Sequence, residues 1–159
     1  MAALQFDEEA AKKLLAIYLT PDVVQQRSEF LNYINLTGNE IVLDVGSGPG
    51  FLARSIANRV GPKGKVWGSH ATDPFLPRTL ASKMNDSGFQ VKMVKVIPLL
   101  NPIFDSNTYS NKLIDLIVPF VVNNGGVTQE YAESWAEELR AQKDYFFSLN
   151  RYLFIGVKL

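Results

Sequence analysis

Apolar residues recur at helical spacing between Phe6 and Tyr18, through Ala10, Leu14, Leu15, Ile17 and Tyr18, and this spacing predicts an opening helix. Thr20-Pro21-Asp22 stops it and starts a second helix, whose apolar stripe of Val23, Val24, Phe30, Leu31 and Ile34 runs out near Leu36-Thr37-Gly38. From Glu40 to Val45 the period changes. The run is β-branched and almost continuously apolar, which predicts a strand buried on both faces, and it enters a glycine-rich bend from Gly46 to Gly50. Phe51 to Val60 returns to helical spacing, with Leu52, Ile56 and Val60 on one face, and Gly61-Pro62-Lys63-Gly64 turns the chain into a second strand at Lys65 to Gly68.

Beyond residue 70 the pattern predicts a helix from Leu76 to Ser87 with Pro77 in its first turn and Gly88 as its cap. An alternating strand from Gln90 to Ile97 follows, ended by Pro98 and Pro102. Thr108 to Val122 reads as a strongly apolar helix bent or broken at Pro119. Gly125-Gly126 is the hinge to a last helix that opens at Thr128 and carries Tyr131, Trp135 and Leu139. The aromatic stretch Tyr145 to Val157 is a terminal strand, on which Phe146, Phe147, Tyr152 and Phe154 are expected in the core together with Trp135. Asn150 and Arg151 lie among them and need partners if buried.

Composition narrows the function. A chain of 159 residues with 47% hydrophobic content builds one core, so a single domain spanning 1–159 is expected. Sixteen basic and sixteen acidic residues cancel, and no basic run forms a phosphate-facing stripe, so no nucleic-acid partner is expected. The chain has no cysteine, which excludes disulfides, thiolate metal sites and cysteine nucleophiles. No apolar stretch reaches the roughly 18–20 residues that span a bilayer, so no membrane association and a cytoplasmic location are expected. No His, Asp and Glu grouping has metal-ligand spacing, and no metal is assigned.

The chemistry concentrates in Ile41-Val42-Leu43-Asp44-Val45-Gly46-Ser47-Gly48-Pro49-Gly50. A strand aimed at a glycine bend lets a ligand lie against bare backbone. Amides at the start of the next helix are expected to point outward unpaired and to favour a carboxylate, while Asp44 has the sign to hold an ammonium. This stretch resembles motif I of class I S-adenosylmethionine-dependent methyltransferases. Upstream, Tyr18-Leu19-Thr20-Pro21-Asp22-Val23-Val24-Gln25-Gln26-Arg27 is similar to the helical lid that small-molecule, type 11-like members lay over the cofactor. Downstream, Leu76-Pro77-Arg78-Thr79-Leu80, Pro98-Leu99-Leu100-Asn101-Pro102 and the segment 145–154 resemble the closing third of that family.

The resemblance implies an α/β fold: a truncated Rossmann-like methyltransferase sheet, mixed parallel and antiparallel, with flanking helices. It divides the chain into a helical lid (1–37), a cofactor-binding β-α-β unit (38–70) and a C-terminal portion (71–159). The family's sheet has seven strands, whereas the pattern here offers about four, so the middle of the fold is shortened. That shortening brings the first strand beside the last one or leaves an edge for another chain, and a homodimer is the expected assembly. The implied cofactor is S-adenosyl-L-methionine, held by Asp44, Gly46, Ser47, Gly48, Pro49 and Gly50, with Tyr18 and Arg27 from the lid. Gln26 shares that lid face, whose bland reading is a helix packed on the sheet with its polar side in water. Where the second strand should end in a ribose-binding acid stands His70, and the nearest carboxylate is Asp73, a substitute ribose ligand or a turn former before Pro74. His70 is the only histidine, a general base or a loop residue at the shortened junction. No catalytic residue is assigned. The implied function is methyl transfer to a small-molecule acceptor; the alternative is a shortened, non-catalytic binding or scaffold protein.

Overall fold

The computed structural model describes residues 8–69 and 76–159, and His70 and Asp73 lie outside that range. Among the described residues, six helices and four strands follow one another as α1 (Glu8–Tyr18), α2 (Pro21–Tyr33), β1 (Ile41–Val45), α3 (Phe51–Ala57), β2 (Lys65–Ser69), α4 (Leu76–Asp86), β3 (Phe89–Asn101), α5 (Tyr109–Asn124), α6 (Gln129–Ala141) and β4 (Phe147–Lys158). The fold is mixed α/β. Its strands divide into two two-stranded sheets among the described residues, β1 with β2 and β3 with β4, so the first and last strands are not neighbours. β1 and β2 run parallel with Asp44 opposite Gly68, whereas in the other sheet the amide of Leu159 reaches the carbonyl of Gly88, joining the end of β4 to the start of β3.

The chain forms two compact units, one of residues 1–26 and 98–149, the other of 27–97 and 150–159. In the second, Phe30 and Leu31 of α2, Leu52 and Ile56 of α3, Ile97 of β3 and Leu153 of β4 close a core, against which Val42, Val66, Met93 and Ile155 pack. Burial of such aliphatic side chains stabilises by about 1.5–3 kcal/mol each. In the first unit, α6 is tied to α5 where Arg140 donates to Asn111 Oδ1 at 2.8 Å and pairs with Asp115 at 2.5 Å.

Four expectations are corrected. β1 is not buried on both faces: Ile41 is 76% and Leu43 62% exposed, because the described residues supply no second layer on that side. Pro98 does not end β3, which runs through it to Asn101; β3 has a single partner strand among the described residues, and proline is tolerated in a strand with an open edge. Pro119 does not break α5, which continues through it to Asn124. The aromatics expected in the core stay partly out of it: Phe146 is 70% exposed, Tyr152 and Trp135 are also exposed, and α6 buries Ala132 and Ala136 instead. A helix that packs closely on a neighbour does so through small residues, which turns its large ones outward.

Candidate cofactor-binding site

β1 delivers Asp44 to the same side of its sheet as Val42, towards the core of the second unit. The chain then bends through Gly46, Gly48 and Gly50, all in left-handed backbone conformations with φ of 76°, 52° and 78°. A side chain at such φ costs about 1–2 kcal/mol, so glycine at each position is a requirement of the bend. The Gly50 amide donates to the Ser47 carbonyl at 2.9 Å, closing the turn, and Gly50 caps α3. Ser47 leans over β2 where Gly68 leaves room: a Cβ at Gly68 would stand 3.0 Å from Ser47 Oγ. Pro49 is exposed between the last two glycines.

Asp44 is half-buried, and one role of its carboxylate is internal. The Ala53 amide in the first turn of α3 donates to it, as a capping acid would receive it. The other oxygen, Oδ2, is buried without a hydrogen-bond partner. Burial pushes the Asp44 carboxyl above its ordinary range, opposed by the charge of Arg151 on β4 and by the Ala53 amide. The amino end of α3 is therefore partly committed: two of its amides, Gly50 and Ala53, are already bonded within the protein, contrary to the expectation of outward, unpaired donors.

Arg27 on α2 places its guanidinium 5.3 Å from the centroid of the Phe51 ring, at the first residue after the glycine bend. Of the two lid residues it is the one that the fold brings to the loop within one unit. Tyr18 lies half-buried at the end of α1, in the other unit, and Gln26 is buried. At the entrance to β1, Glu40 accepts bonds from the Thr37 hydroxyl, the Thr37 amide and the Gly38 amide, which hold its carboxyl down to about 2. Gly61 must lack a side chain because a Cβ there would run into the Gly38 carbonyl.

Two long-range partners, one at this site and one within the first unit, are not legible in the sequence pattern. Arg151 stood out only as a polar residue among aromatics, and no local pattern connects it to Asp44, from which it is 107 positions distant by subtraction of the two residue numbers. Asp22 read as a helix start. Its carboxylate in fact accepts from Tyr109 N at 3.0 Å, from Asn101 Nδ2 at 2.9 Å and from Val23 N at 3.0 Å, so it caps the distant α5 within the first unit.

The residues at the bend fit the amino-acid end of S-adenosyl-L-methionine in two respects. An orphaned carboxylate oxygen is an acceptor for an ammonium, and a bend free of side chains lets a ligand approach backbone. Among the described residues there is no cluster of metal ligands, and no helix is long and apolar enough to cross a membrane.

Residues 19–94, just under half of the chain, match the family model described as protein-L-isoaspartate(D-aspartate) O-methyltransferase. No individual curated protein and no solved structure matches. The matched stretch contains α2, the whole β1-α3-β2 unit and α4, and ends within β3. The matched stretch therefore spans the whole Asp44 to Gly50 bend, and S-adenosyl-L-methionine is the methyl donor of the matched family.

Proposed function

We propose that this chain binds S-adenosyl-L-methionine at the Asp44 to Gly50 bend and transfers its methyl group to a carboxylate oxygen of an isoaspartyl residue in a protein or peptide. The observation that carries the proposal is the buried, unpartnered Oδ2 of Asp44 beside three left-handed glycines. The matched family's name supplies the acceptor class and displaces the small-molecule acceptor expected from the sequence. When bound, the cofactor supplies an electrophilic sulfonium methyl. The chain's own part is positional: Asp44 holds an ammonium, Gly46, Ser47, Gly48, Pro49 and Gly50 keep the backbone open, and Arg27 borders the bend with positive charge. Such transfer depends chiefly on alignment, so no acid-base residue is needed.

A second reading is a binding protein without turnover, favoured by the two-stranded extent of the parallel sheet. Incubation with an isoaspartyl peptide and methyl-labelled S-adenosyl-L-methionine separates the two: label in a base-labile ester supports transfer, and calorimetric binding without label supports the second reading. Absence of binding removes both.

We also propose a homodimer. Ile41, Leu43 and Trp67 lie on one face of the β1/β2 sheet, Leu43 directly opposite Trp67, and all three are at least 60% exposed. β1 and β2 each retain an unpaired edge among the described residues. A second copy related by a two-fold axis offers the same apolar face and the same open edge, the self-complementary arrangement of an isologous interface.

A further inference from the structure

The first unit contains a cavity of about 330 Å³ between α5, α6 and the segment that leads into β4. Its volume is at the small end of the range for ligand sites, about 300–1,000 Å³. Ile114 of α5 and Tyr145 are buried, whereas Trp135 and Phe146 stand at exposed positions of the lining. Two of the four aromatic rings are fixed from behind. Tyr145 meets Phe104 edge-on with centroids 5.6 Å apart, and Phe147 lies against Tyr109 at 5.7 Å. Among the described residues that line the cavity, Asp144 is the one charged side chain, and no lysine or arginine accompanies it.

This lining has a definite chemical preference. Aromatic faces carry negative quadrupole density and attract cations that have shed their water, which is how ammonium groups with alkyl substituents are recognised. A lone carboxylate adds attraction for positive charge and repels anions. A neutral apolar guest would gain only from burial. We infer that the cavity is a binding site for a small organic cation, an amine or quaternary ammonium with an apolar body, with Asp144 beside the charge and Trp135, Tyr145, Phe146 and Phe147 around it.

The inference is independent of methyl transfer and is tested on the full chain by calorimetric titration with three probes of one shape: benzyltrimethylammonium, benzyl alcohol and phenylacetate. The ammonium should bind saturably and at least about fivefold more tightly than the alcohol, with phenylacetate weakest. Asp144→Asn and Phe146→Ala, both at exposed positions, should each weaken the ammonium about fivefold without moving the thermal midpoint. Equal affinity for the three probes, absence of saturable ammonium binding, or undiminished binding by Asp144→Asn would each overturn the assignment. The probe comparison needs no variant, so it stands even where a substitution fails to fold.

Discussion

Asp44→Asn separates the two roles of one side chain. The substitution keeps an oxygen for the Ala53 amide, so the cap on α3 survives, while it removes a half-buried charge whose Oδ2 has no partner. Burial raises the Asp44 carboxyl above its ordinary value, so the folded state prefers the protonated form and the charge costs stability once the pH rises through the folded value. The side-chain amide leaves its nitrogen in the same unpartnered place, so the gain comes only from removing the charge. Asp44 is half-buried and feels Arg151, which keeps that gain to about 1 kcal/mol after solvent screening. For a chain of this size that corresponds to a gain of about 2–4 °C in Tm at pH 7. The gain should fade as the pH falls below the ordinary aspartate range, where both states of the parent are protonated. Binding should move the other way. A hydrogen bond between charged partners contributes about 1.5–3 kcal/mol, so affinity for S-adenosylhomocysteine should fall about 10- to 150-fold. Thermal unfolding with and without ligand, followed by calorimetry, reads both. A variant that is less stable than the parent yet binds equally well would refute the reasoning on both counts.

The remaining predictions concern the frame. Gly50→Ala places a Cβ at φ 78° with nothing within 4 Å to clash, so its cost is backbone strain alone, about 1–2 kcal/mol, read as a Tm loss of about 2–8 °C. Asp22→Ala should destabilise by about 1–2 kcal/mol in denaturant titration at pH 7. Burial pulls the Asp22 carboxyl up, but bonds from Thr20, Tyr109, Asn101 and Val23 outweigh it and leave the value lowered. Its stabilisation is therefore complete above the ordinary value of 3.8 and lost as the pH falls through the lower folded one, so the variant's deficit should disappear in acid. Glu40 should titrate near 2 by carboxyl carbon NMR, and in Thr37→Val, which removes one of its donors, the value should rise. Leu43→Lys should convert a sedimenting dimer to a monomer; a parent that sediments as a monomer at 100 µM, roughly the weak-binding regime, would dispose of the dimer.

Local rules were legible where the cause is local. Thr128 caps α6 and accepts from the Tyr131 amide, Thr108 stands at the start of α5, and Gly88 ends α4 with φ 80°, all at positions the sequence marks. The glycine bend was equally plain, because left-handed φ at Gly46, Gly48 and Gly50 is a property of single residues. What failed was whatever depends on a neighbour layer. The run Ile41 to Val45 has the composition of a strand covered twice, and only the tertiary arrangement reveals that one cover is missing. Phe146 and Trp135 have core chemistry, yet Ala132 and Ala136 take the packed face of α6. The partners of Asp44 and Asp22, namely Arg151 and Tyr109, are set by long-range topology and leave no periodic trace.

The length of α3 bears on how the bend can hold a ligand. With seven residues the helix has barely two turns, and the partial charge at its amino end acts only within the first of them. Two of the amides there are already bonded, one to Ser47 and one to Asp44 itself. A ligand carboxylate therefore gains less from α3 than a long, uncommitted helix would give, and the charge on Asp44 becomes the dominant polar contribution. Affinity should accordingly depend more on the ligand's ammonium than on its carboxylate. Removing the amino group from S-adenosylhomocysteine should weaken binding more than converting its carboxylate to an amide, and the reverse order would return the leading role to the helix.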